Sequence, residues 1–560
     1  MNHRRWHVLP AAPAGYLKGT DLHPLTIQLL HNRGIAGASD AMSFLGLEEE
    51  KPSDPFLLPD IEKAVVRVQR ALLGGETIAI YGDFDADGIC GTAVLVQGLS
   101  RLGANTIAYI PHRVEEGYGL NFVSLERLCQ QGATVVVTVD CGITNAPEIE
   151  YAGSLGLDTI VTDHHSVTQG VPPAFAVVNP KRADSAYPFP ELAGVGVAYR
   201  FLQALFMSLG RKETLDDLLD IVAVGTVADM VPLLGDNRSL VKEGLVQVKR
   251  SGRLGLQEML RTARVKQGDV DSGCIAWVIA PRLNAPGRLE HALASYQLLM
   301  TQSPQEARQM AQELEETNAE RQRLTSQFLA RARDEIESRR PVPPLLIAGG
   351  EGYPSGVAGL IAGRLVEEYH RPSIVFKREE ETSRGSARSI PGFSMIAALA
   401  QCTDLLERFG GHPMAAGFTV RNDNVPRLSQ RLVDIAGSQI SEDDLQPSVT
   451  VDAELPLSAM NGEVFGVVER LAPFGSGNPA PVFVSRGVKV VDCASVGDGS
   501  RHLQVKLREG RIVWRGIGFD LGHLLDEVSQ SIDVVYTLSV DRWGGEETLS
   551  LSILDFAPAQ

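Results

Sequence analysis

The sequence predicts a multidomain α/β protein that ends in an all-β domain. The chain has 560 residues, which is more than one core usually holds, because domains rarely grow beyond about 250–300 residues. Between residues 75 and 180, apolar β-branched runs alternate with helical stretches, as in a parallel sheet with helices on both faces. Beyond residue 449 the apolar runs are short or alternating, which is typical of a small barrel or sandwich.

The strands of the predicted parallel sheet are the continuous apolar runs of the first α/β segment. In such sheets ligands bind just beyond the carboxyl ends of the strands. The residues that follow each run are therefore the candidates for a functional site. The runs cover residues 77–81, 106–110, 134–139, 158–162 and 176–179.

Changes in composition along the chain predict the domain boundaries. Residues 303–340 are highly charged and lack glycine, and their apolar residues recur at helical spacing until the PVPP breaker, so they predict a long connecting helix. The glycine-rich segment after it predicts a second α/β unit. The predicted divisions are a helical cap at 1–55, an α/β domain at 56–302, the connecting helix at 303–340, a second α/β domain at 341–440 and a β domain at 449–560.

Charge and apolar content restrict the possible classes of protein. The 52 basic and 69 acidic residues give a net charge of −17, which argues against an extended basic surface for nucleic acid. It remains compatible with a narrow basic channel if some of the acids bind cations. No apolar run is long enough for a membrane span or a signal peptide, so a cytoplasmic location is expected. The scattered cysteines contain no CxxC pair and argue against a disulfide framework or a structural zinc site.

The first strand ends in the acidic motif YGDFDADG. Its carboxylates Asp83, Asp85 and Asp87 stand at alternate positions, which places them on one side of an extended segment. Like charges so close together cannot all stay ionised without a cation between them. A solvated acidic turn and a calcium loop are the alternatives, but the glutamate expected at loop position 12 is replaced by Val94. A divalent-metal site is favoured.

Further acids and histidines follow later apolar segments. Asp140 stands in VDCGIT, the triplet Asp163-His164-His165 in VTDHHSV, and Asp229 in VGTVADMVPL. Each alone could be a helix cap or a structural histidine. Together, at the strand-end edge of one sheet, oxygen and imidazole ligands suit Mn²⁺, or in part Mg²⁺.

This ligand set predicts metal-dependent phosphoester hydrolysis. Two ions about 3.5–4 Å apart, bridged by a carboxylate, can activate water for in-line attack on phosphorus. A nucleophilic serine is disfavoured because there is no GxSxG motif, and nucleoside triphosphate hydrolysis is disfavoured because there is no P-loop.

The four motifs YGDFDADG, VDCGIT, VTDHHSV and GTVADMVPL, in this order, resemble motifs I to IV of the DHH phosphoesterase superfamily. The longer segments PHRVEEGYGL, APRLNAPGRL, GSARSIPGFS, FGGHPMAAGF and PFGSGNPAPVF resemble the RecJ family of bacterial single-stranded-DNA-specific exonucleases, and the resemblance covers essentially the whole chain. It implies a DHH domain and a DHHA1 domain joined by the long helix, followed by an OB-like domain.

The resemblance also implies roles for the acids and histidines. Asp140 is the expected metal-bridging acid, and His165 is expected to contact the scissile phosphate or orient a ligand, with Asp163 positioning both histidines; these three form the expected catalytic set. The metal ligands it implies are Asp83, Asp85, Asp87, Asp140, His164 and Asp229.

A second group of residues is implied to bind substrate. Arginine forks and glycine-lined backbone suit phosphate contacts, and Tyr118 could stack on a base. For any single arginine, an ordinary surface position on a loop is the alternative. The implied substrate residues are Arg113, Tyr118, Arg282, Asn284, Arg288, Ser386, Arg388 and His412, of which Arg113, Arg282, Ser386 and Arg388 would hold a 5′-phosphate.

One segment departs from the family pattern. Where the family usually carries a Trp-His-Gln-Gly-Val-like start to the DHHA1 segment, this chain reads GYPSGVAGLIAGRL, with Tyr353, Pro354 and Ser355. The helix that follows is intact, so the departure concerns substrate contacts and leaves the predicted fold unchanged.

The function implied is a metal-dependent 5′→3′ exonuclease that degrades single-stranded DNA to mononucleotides in recombination and repair. Its cofactors would be two Mn²⁺ or Mg²⁺ ions, and its partners DNA with a 5′ end, a helicase and a single-strand-binding protein. One alternative is a DHH phosphoesterase for short oligoribonucleotides, cyclic dinucleotides or pyrophosphate, although such enzymes generally lack the extra β-domain and the extended arginine motifs. A non-catalytic scaffold on the same fold is the other, and it is disfavoured because every ligand position is filled.

Overall fold

The computed structural model describes residues 4–48, 52–113, 115–541 and 548–559. The chain divides into two compact units. The parallel-sheet unit comprises residues 51–325 and 473–478, and the composite unit comprises residues 1–50, 326–472 and 479–560. None of the described helices combines the length and the apolar character that crossing a membrane requires.

The N-terminal segment contains a strand as well as helices. Strand β1 (Arg5–Val8) precedes helices α1 (Pro24–Asn32) and α2 (Ala38–Phe44). β1 pairs in parallel with residues 448–451 of the same unit. The helical prediction missed this strand because four residues are too short for a clear periodicity and the pairing partner is distant in sequence.

A fully parallel sheet forms the centre of the parallel-sheet unit. Its strand order is β3-β2-β4-β5-β6, and every pair within it is parallel. Each observed strand lies within two residues of the predicted one at either end. The strands are β2 (Thr77–Gly82), β3 (Asn105–Tyr109), β4 (Ala133–Val139), β5 (Asp158–Thr162) and β6 (Ala176–Val178).

Helices cover both faces of this sheet. Successive residues of a strand point to opposite faces, so Ile78 and Ile80 enter one buried core while Ala79 and Tyr81 enter another. Burial on both faces explains why the strands read as continuous apolar runs. The helices are α3 (Ile61–Gly74), α4 (Ala86–Arg101), α5 (Phe122–Gln130), α6 (Ala146–Ser154), α7 (Gly194–Ser208), α8 (Leu219–Ala228), α9 (Gly235–Val248), α10 (Leu254–Thr262), α11 (Ser272–Cys274), α12 (Ala280–Leu289) and α13 (Leu293–Met300).

The predicted connecting helix is present as α14 (Pro304–Glu337). The boundary between the two units falls inside it, after residue 325. It is mostly polar, as expected for a helix whose exposed faces carry charge.

A second α/β sheet follows in the composite unit. Its order is β10-β11-β9-β8-β7, in which only the β7–β8 pair is parallel. The glycine-rich segment that predicted this unit therefore contributes strands as well as loops. The elements are β7 (Leu346–Gly350), α15 (Ser355–Tyr369), β8 (Ser373–Arg378), β9 (Thr382–Arg388), α16 (Met395–Ala400), β10 (Leu406–His412), β11 (Ala415–Arg421) and α17 (Val425–Gln439).

The C-terminal residues form the predicted β domain. The pairings β14-β15-β16-β18-β17 close into a ring through an additional β14–β17 ladder, so the predicted OB-like fold and the α/β fold class are confirmed. The elements are β12 (Ser448–Val451), β13 (Ala453–Glu454), α18 (Gly462–Glu469), β14 (Phe483–Val496), β15 (His502–Glu509), β16 (Ile512–Gly518), β17 (Ser531–Asp541) and β18 (Thr548–Pro558).

The close approach of α9 to α8 gives a stability prediction. A Cβ placed on Gly244 of α9 would lie 2.4 Å from the carbonyl oxygen of Leu219 and 2.5 Å from Cβ of Ala223. The helices would have to separate, so we expect Gly244→Ala to lower the free energy of unfolding by about 1–3 kcal/mol. Urea unfolding measures the loss. Gly252→Ala, where a Cβ meets open space, is the control, and equal stability of both variants would contradict the prediction.

Candidate metal centre

The sheet has a crevice between β2 and β4. The chain leaves β2 for β3 on one side and returns for β4 on the other, and ligands bind where such a sheet reverses its strand order. Asp83 directly follows β2, and Asp140 directly follows β4. The topology therefore brings these two acids to the same crevice.

The loop between β2 and α4 is tied by its own side chains. The Asp85 carboxylate caps α4 and accepts hydrogen bonds from the backbone N–H groups of Asp87 at 2.9 Å and Gly88 at 3.2 Å. A Cβ on Gly88 would lie 2.6 Å from both N and O of Asp83. Only glycine permits this turn, which holds Asp83 buried against the first turn of α4.

Asp87 faces the start of a second helix. Its oxygens accept hydrogen bonds from the backbone N–H groups of Gly194 at 2.7 Å and Val195 at 2.9 Å, the first residues of α7. A helix N-terminus favours an anion because of its free N–H groups and its dipole. A Cβ on Gly194 would lie 2.7 Å from Cβ of Asp140, so this glycine also lets α7 reach the acids.

Asp140 occupies an unusual backbone conformation. Its φ is +60°, in the left-handed region that non-glycine residues rarely adopt. Its N–H donates to the carbonyl of Thr162 at 3.1 Å, and its carbonyl accepts from the Tyr118 hydroxyl at 3.1 Å. The side chain is buried. The backbone contacts thus hold its carboxylate inside the crevice.

The Asp163 carboxylate organises the two histidines. One oxygen accepts from the backbone N–H of His164 at 2.7 Å and of His165 at 3.1 Å, and it lies 2.8 Å from Nδ1 of His165. The other accepts from the backbone N–H of Ile143 at 2.9 Å. Asp163 is thus fully engaged by protein groups, and its contacts are those of a positioning residue.

His164 projects among the other acids. Its Nε2 lies 3.0 Å from Oδ1 of Asp140, 3.5 Å from Oδ2 of Asp229 and 4.0 Å from Oδ2 of Asp87. Asp229 joins the cluster from the C-terminal end of α8, not from a strand end. The expectation that it lies at a strand end was wrong, because the uniformly apolar run before it belongs to a buried helix.

Burial and mutual repulsion govern the charges of the cluster. Burial, then the charge of Asp85, raises the pKa of Asp87 to about 7. Burial, then the charge of Asp87, raises the pKa of Asp229 to about 9. The pKa values of Asp83 and Asp140 are raised well above the ordinary value, mainly by burial. Without cations, these carboxyl groups therefore stay protonated at pH values well above those at which an exposed aspartate ionises.

The pKa values of the two histidines and of Asp163 shift for other reasons. Burial, then repulsion from His165, lowers the pKa of His164 to about 3, so this imidazole is neutral. Burial would lower the pKa of His165, but the hydrogen bond with Asp163 and the charges of Asp163, Asp83 and Asp85 together outweigh burial, and the pKa is raised. Burial likewise opposes ionisation of Asp163, but the same hydrogen bond, the charge of His165 and the N–H of Ile143 together leave its pKa lowered.

The cluster fits divalent cations. Potential ligand atoms converge within 4.8 Å in three overlapping groups: Asp83, Asp85 and Asp140; Asp87, His164 and Asp229; and Asp140, His164 and His165. Among the described residues, no hydrogen bond satisfies Asp83 Oδ1, Asp140 Oδ1, Asp229 Oδ2 or His164 Nε2. Buried polar atoms are rarely left unpaired. Carboxylate oxygens with a neutral imidazole suit Mn²⁺ and, in part, Mg²⁺.

Two of the expected substrate residues border the cluster. The Arg113 guanidinium lies 4.9 Å from the centre of the Phe84 ring, in the loop that carries Asp83. The Tyr118 ring meets Phe84 edge to face with 6.4 Å between centroids. Phe84, which the sequence interpretation did not single out, thus supports both residues beside the acids.

The expected residues of the APRLNAPGRL segment lie on helix α12, not on a loop. The side-chain oxygen of Asn284 accepts from the backbone N–H of Ala86 at 2.8 Å, which fixes the start of α4. Arg282 forms a forked pair with Glu315 at 2.5 and 3.1 Å. Arg288 lies near the end of α12. The structure thus places Asn284 in support of the metal loop and Arg282 against a carboxylate.

The remaining expected residues lie in the composite unit. Arg388 pairs with Ala415, which pairs with His412 on the next strand, so Arg388 and His412 project from the same face of the sheet. Ser386 lies on that face two residues from Arg388, and a Cβ on Gly359 of α15 would lie 3.0 Å from the Arg388 guanidinium. Gly359 thus lets α15 approach this face closely, so that Ser386 and Arg388 are partly buried whereas His412 is exposed.

Tyr353, at the departure from the family pattern, is a core residue. It is fully buried, and its hydroxyl donates to Glu335 of α14 at 3.0 Å. The Arg331 guanidinium lies 4.7 Å from the ring centre. The altered segment therefore packs against the long helix.

Some functional groups had little sequence signal. The N–H groups of Gly194 and Val195 contact Asp87, yet backbone donors leave no side-chain pattern, and only the glycines of AGVGV mark the helix start. The contact of the Tyr118 hydroxyl with the Asp140 carbonyl joins distant segments. Neither could be read from the local sequence.

Models of known families match most of the chain. The DHH family, N-terminal domain, matches residues 77–226, the DHHA1 domain matches residues 343–438, and the RecJ OB domain matches residues 451–555. The single-stranded-DNA-specific exonuclease RecJ of Bacillus subtilis (strain 168) is 36% identical over 541 residues, which are 96% of this chain and 68% of that protein.

Solved structures agree with these matches. The crystal structure of RecJ from Thermus thermophilus in complex with Mn²⁺ has a TM-score of 0.85 at 30% identity and covers 99% of this chain and 80% of that chain. The Mg²⁺ complex from the same organism has a TM-score of 0.78 at 28% identity and covers 99% and 79% of the two chains. At 30% and 28% identity, both RecJ structures resemble this chain in sequence as well as in fold.

The shifted pKa values predict how stability of the metal-free protein depends on pH. An aspartate in an unfolded chain has a pKa near 3.9, so folded Asp87 and Asp229 bind protons that the unfolded chain has released. Stability then falls as pH rises from 6.5 to 8.5, by roughly 1 kcal/mol per pH unit for each carboxyl still protonated in the folded state. The raised pKa of His165 acts in the same direction, whereas the lowered pKa of His164 matters only below about pH 6.5. Urea unfolding in chelator measures the slope.

Two comparisons make this prediction specific. Asp229→Asn removes a proton-binding group and should flatten the slope, whereas the exposed Asp216→Asn in the same unit should leave it unchanged. Mg²⁺ should stabilise the native chain more at pH 8.5 than at pH 6.5, because ions compete with fewer protons. If the free energy of unfolding of the metal-free protein were constant or rose between pH 6.5 and 8.5, bound protons would not be what offsets the repulsion among these carboxylates.

Proposed function

The chain belongs to the RecJ family of DHH phosphoesterases, and from this membership we propose that it hydrolyses single-stranded DNA from the 5′ end to mononucleotides, in recombination and repair. The observation that carries the proposal is the buried cluster of acids with a neutral imidazole, in which four atoms lack hydrogen-bond partners among the described residues: Asp83 Oδ1, Asp140 Oδ1, Asp229 Oδ2 and His164 Nε2. This chemistry suits a phosphodiester and requires no covalent intermediate with the protein.

We propose that Asp83, Asp85, Asp87, Asp140, His164 and Asp229 hold two Mn²⁺ or Mg²⁺ ions. When bound, such ions make water a stronger nucleophile and neutralise charge on the phosphoryl group. The lowered pKa of His164 keeps its imidazole unprotonated and ready to bind metal. Asp140 belongs to two of the three converging groups, which supports a bridging role.

The neighbouring residues orient these groups and the phosphate. The Asp163 carboxylate lies 2.8 Å from Nδ1 of His165 and favours the form of the ring that carries a proton on Nδ1. Nε2 is then the ring nitrogen that can contact the scissile phosphate. The close approach at Gly88 and the N-terminus of α7 keep Asp83 and Asp87 in place, and Asp83 Oδ1 has no hydrogen-bond partner among the described residues. We assign His165, Asp163 and Asp140 to catalysis on these contacts.

Substrate binding is assigned to two sets of residues. In the parallel-sheet unit, Arg113 over Phe84 offers charge to a phosphate, and the half-exposed ring of Tyr118 offers a face to a base. Within the composite unit, the sheet face that carries Arg388, Ser386 and His412 suits a second phosphate contact. Arg282, Asn284 and Arg288 are proposed to support the 5′ end, and for Arg282 this requires sharing its guanidinium with Glu315.

The proposed activity also suggests its setting. A nuclease that acts on one strand needs duplex DNA to be opened, so we propose a helicase and a single-strand-binding protein as partners. A DNA substrate favours the cytoplasm of a bacterial cell as the location. The closed β-barrel of the composite unit favours a long strand over a dinucleotide, since such barrels commonly bind oligonucleotides.

Replacing the proposed bridging acid should remove activity. Asp140→Asn keeps the size of the side chain but removes its negative charge and replaces one acceptor oxygen with an NH₂ donor, so we expect hydrolysis of single-stranded DNA to fall by at least about a thousandfold, or roughly 4 kcal/mol of transition-state stabilisation. Initial rates with Mn²⁺ test this. Asp216→Asn is the matched surface control. Substantial metal-dependent cleavage by a folded Asp140→Asn protein would refute the assigned centre.

The direction of digestion can be measured directly. We expect a 5′-labelled single strand to release labelled mononucleotide at once, whereas a 3′-labelled strand should keep its label on progressively shorter products. The same sequence as duplex DNA should be largely resistant, and a dinucleotide should be a poorer substrate than the long strand. Early release of a 3′ label would reverse the proposed polarity, and preference for the dinucleotide would favour a small-substrate phosphoesterase.

A further inference from the structure

The Tyr118 hydroxyl contacts two parts of the metal centre at once. It donates to the main-chain carbonyl of Asp140 at 3.1 Å. The same oxygen lies 3.2 Å from Nδ1 of His165. One hydroxyl therefore connects the segment after β4 with the histidine after β5.

The contact with Asp140 acts at a strained backbone position. Left-handed backbone at a non-glycine residue is unfavourable and persists only where neighbouring contacts enforce it. The N–H of Asp140 is held by Thr162, and its carbonyl is held by Tyr118. The hydroxyl thus fixes the peptide whose rotation would turn the Asp140 carboxylate.

The contact with His165 restricts the imidazole ring. Nδ1 lies between the carboxylate of Asp163 and the hydroxyl of Tyr118. The Tyr118 and His165 rings meet edge to face with 5.7 Å between centroids. Because Nδ1 and one edge of the His165 ring are both in contact with neighbours, the direction in which Nε2 points is fixed.

The segment that carries Tyr118 is itself anchored. The buried Tyr81 hydroxyl donates to the carbonyl of Gly119 at 3.0 Å. The side-chain oxygen of Asn145 accepts from the N–H of Leu120 at 3.3 Å. The hydroxyl of Tyr118 is therefore brought to the site by a fixed backbone, whereas the residue as a whole remains 46% exposed.

We propose that Tyr118 is a positioning residue whose hydroxyl holds the Asp140 carboxylate and the His165 ring in their working orientations, separately from any contact that its ring makes with a base. The inference rests on the proposed function in so far as it concerns catalysis. Its consequence for metal binding needs no substrate. The hydroxyl and the ring have different tasks, so they can be removed separately.

Tyr118→Phe removes the hydroxyl and keeps the ring. We expect Mn²⁺ affinity of the full chain, measured by calorimetry without DNA, to weaken roughly tenfold, as is usual when an outer partner of a metal ligand is lost. With single-stranded DNA, kcat should fall by about the same factor while KM stays within about twofold of native. Tyr118→Ala should show the same Mn²⁺ loss and, in addition, a raised KM.

Tyr151→Phe is the matched control. Tyr151 lies in the same unit, and its hydroxyl contacts Glu126 at the surface, so this variant should keep native Mn²⁺ affinity, kcat and KM. Thermal unfolding of the three variants separates loss of folding from loss of positioning, and Tyr118→Phe should unfold within a few degrees of native.

The Mn²⁺ affinity and kcat of the Tyr118 variants either support or contradict the positioning role. Native Mn²⁺ affinity and native kcat in Tyr118→Phe, with a raised KM only in Tyr118→Ala, would reduce Tyr118 to a stacking ring and overturn the inference. A native chain that binds Mn²⁺ but does not cleave single-stranded DNA would refute the proposed function instead. In that case the comparison of Mn²⁺ affinity between native and Tyr118→Phe still decides whether the hydroxyl positions the site.

Discussion

Repulsion between buried carboxylates is the constraint on which the centre depends. Two unit charges 4 Å apart repel by about 4 kcal/mol at the effective dielectric constant of a protein site, and Asp83, Asp87, Asp140 and Asp229 share one crevice. Protons or divalent ions must offset that repulsion. Glycines at 88 and 194 bring the acids together without filling the space between them. The local fold therefore maintains an arrangement that its own charges oppose.

Neighbouring acids in the same crevice have opposite electrostatic roles because their partners differ. Asp163 accepts hydrogen bonds at both oxygens and has a lowered pKa, so it is a fixed anion that orients His165. Asp140 keeps an unpartnered oxygen and has a raised pKa, so it is open to a cation. The protein thus separates orienting acids from ligating acids by how many N–H groups reach each one. Asp87 is intermediate, since it anchors α7 and still belongs to a ligand group.

The sequence was sufficient for the sheet and for the acids at its edge, since both follow from local periodicity and from where each strand ends. Local sequence did not predict the contacts between residues that are distant along the chain. The apolar run before Asp229 has no period that separates a buried helix from a buried strand. Arg282 suggested phosphate, but its fork faces Glu315 across 33 residues of sequence. The hydroxyl of Tyr118 reaches Asp140 only because Tyr81 and Asn145 fix the intervening backbone.

The net charge of −17 can now be related to an anionic substrate. A formal count treats every carboxyl as ionised, yet the raised pKa values of Asp87 and Asp229 show that part of this charge is absent from the metal-free molecule. Two divalent ions would displace those protons and offset most of the negative charge of the five ligand aspartates, and Arg113 adds a fixed positive charge beside them. The sign of the potential at the phosphate then depends on the ions. The same cations that relieve repulsion among the acids would also attract the substrate, so cluster stability and DNA binding are linked through one bound species.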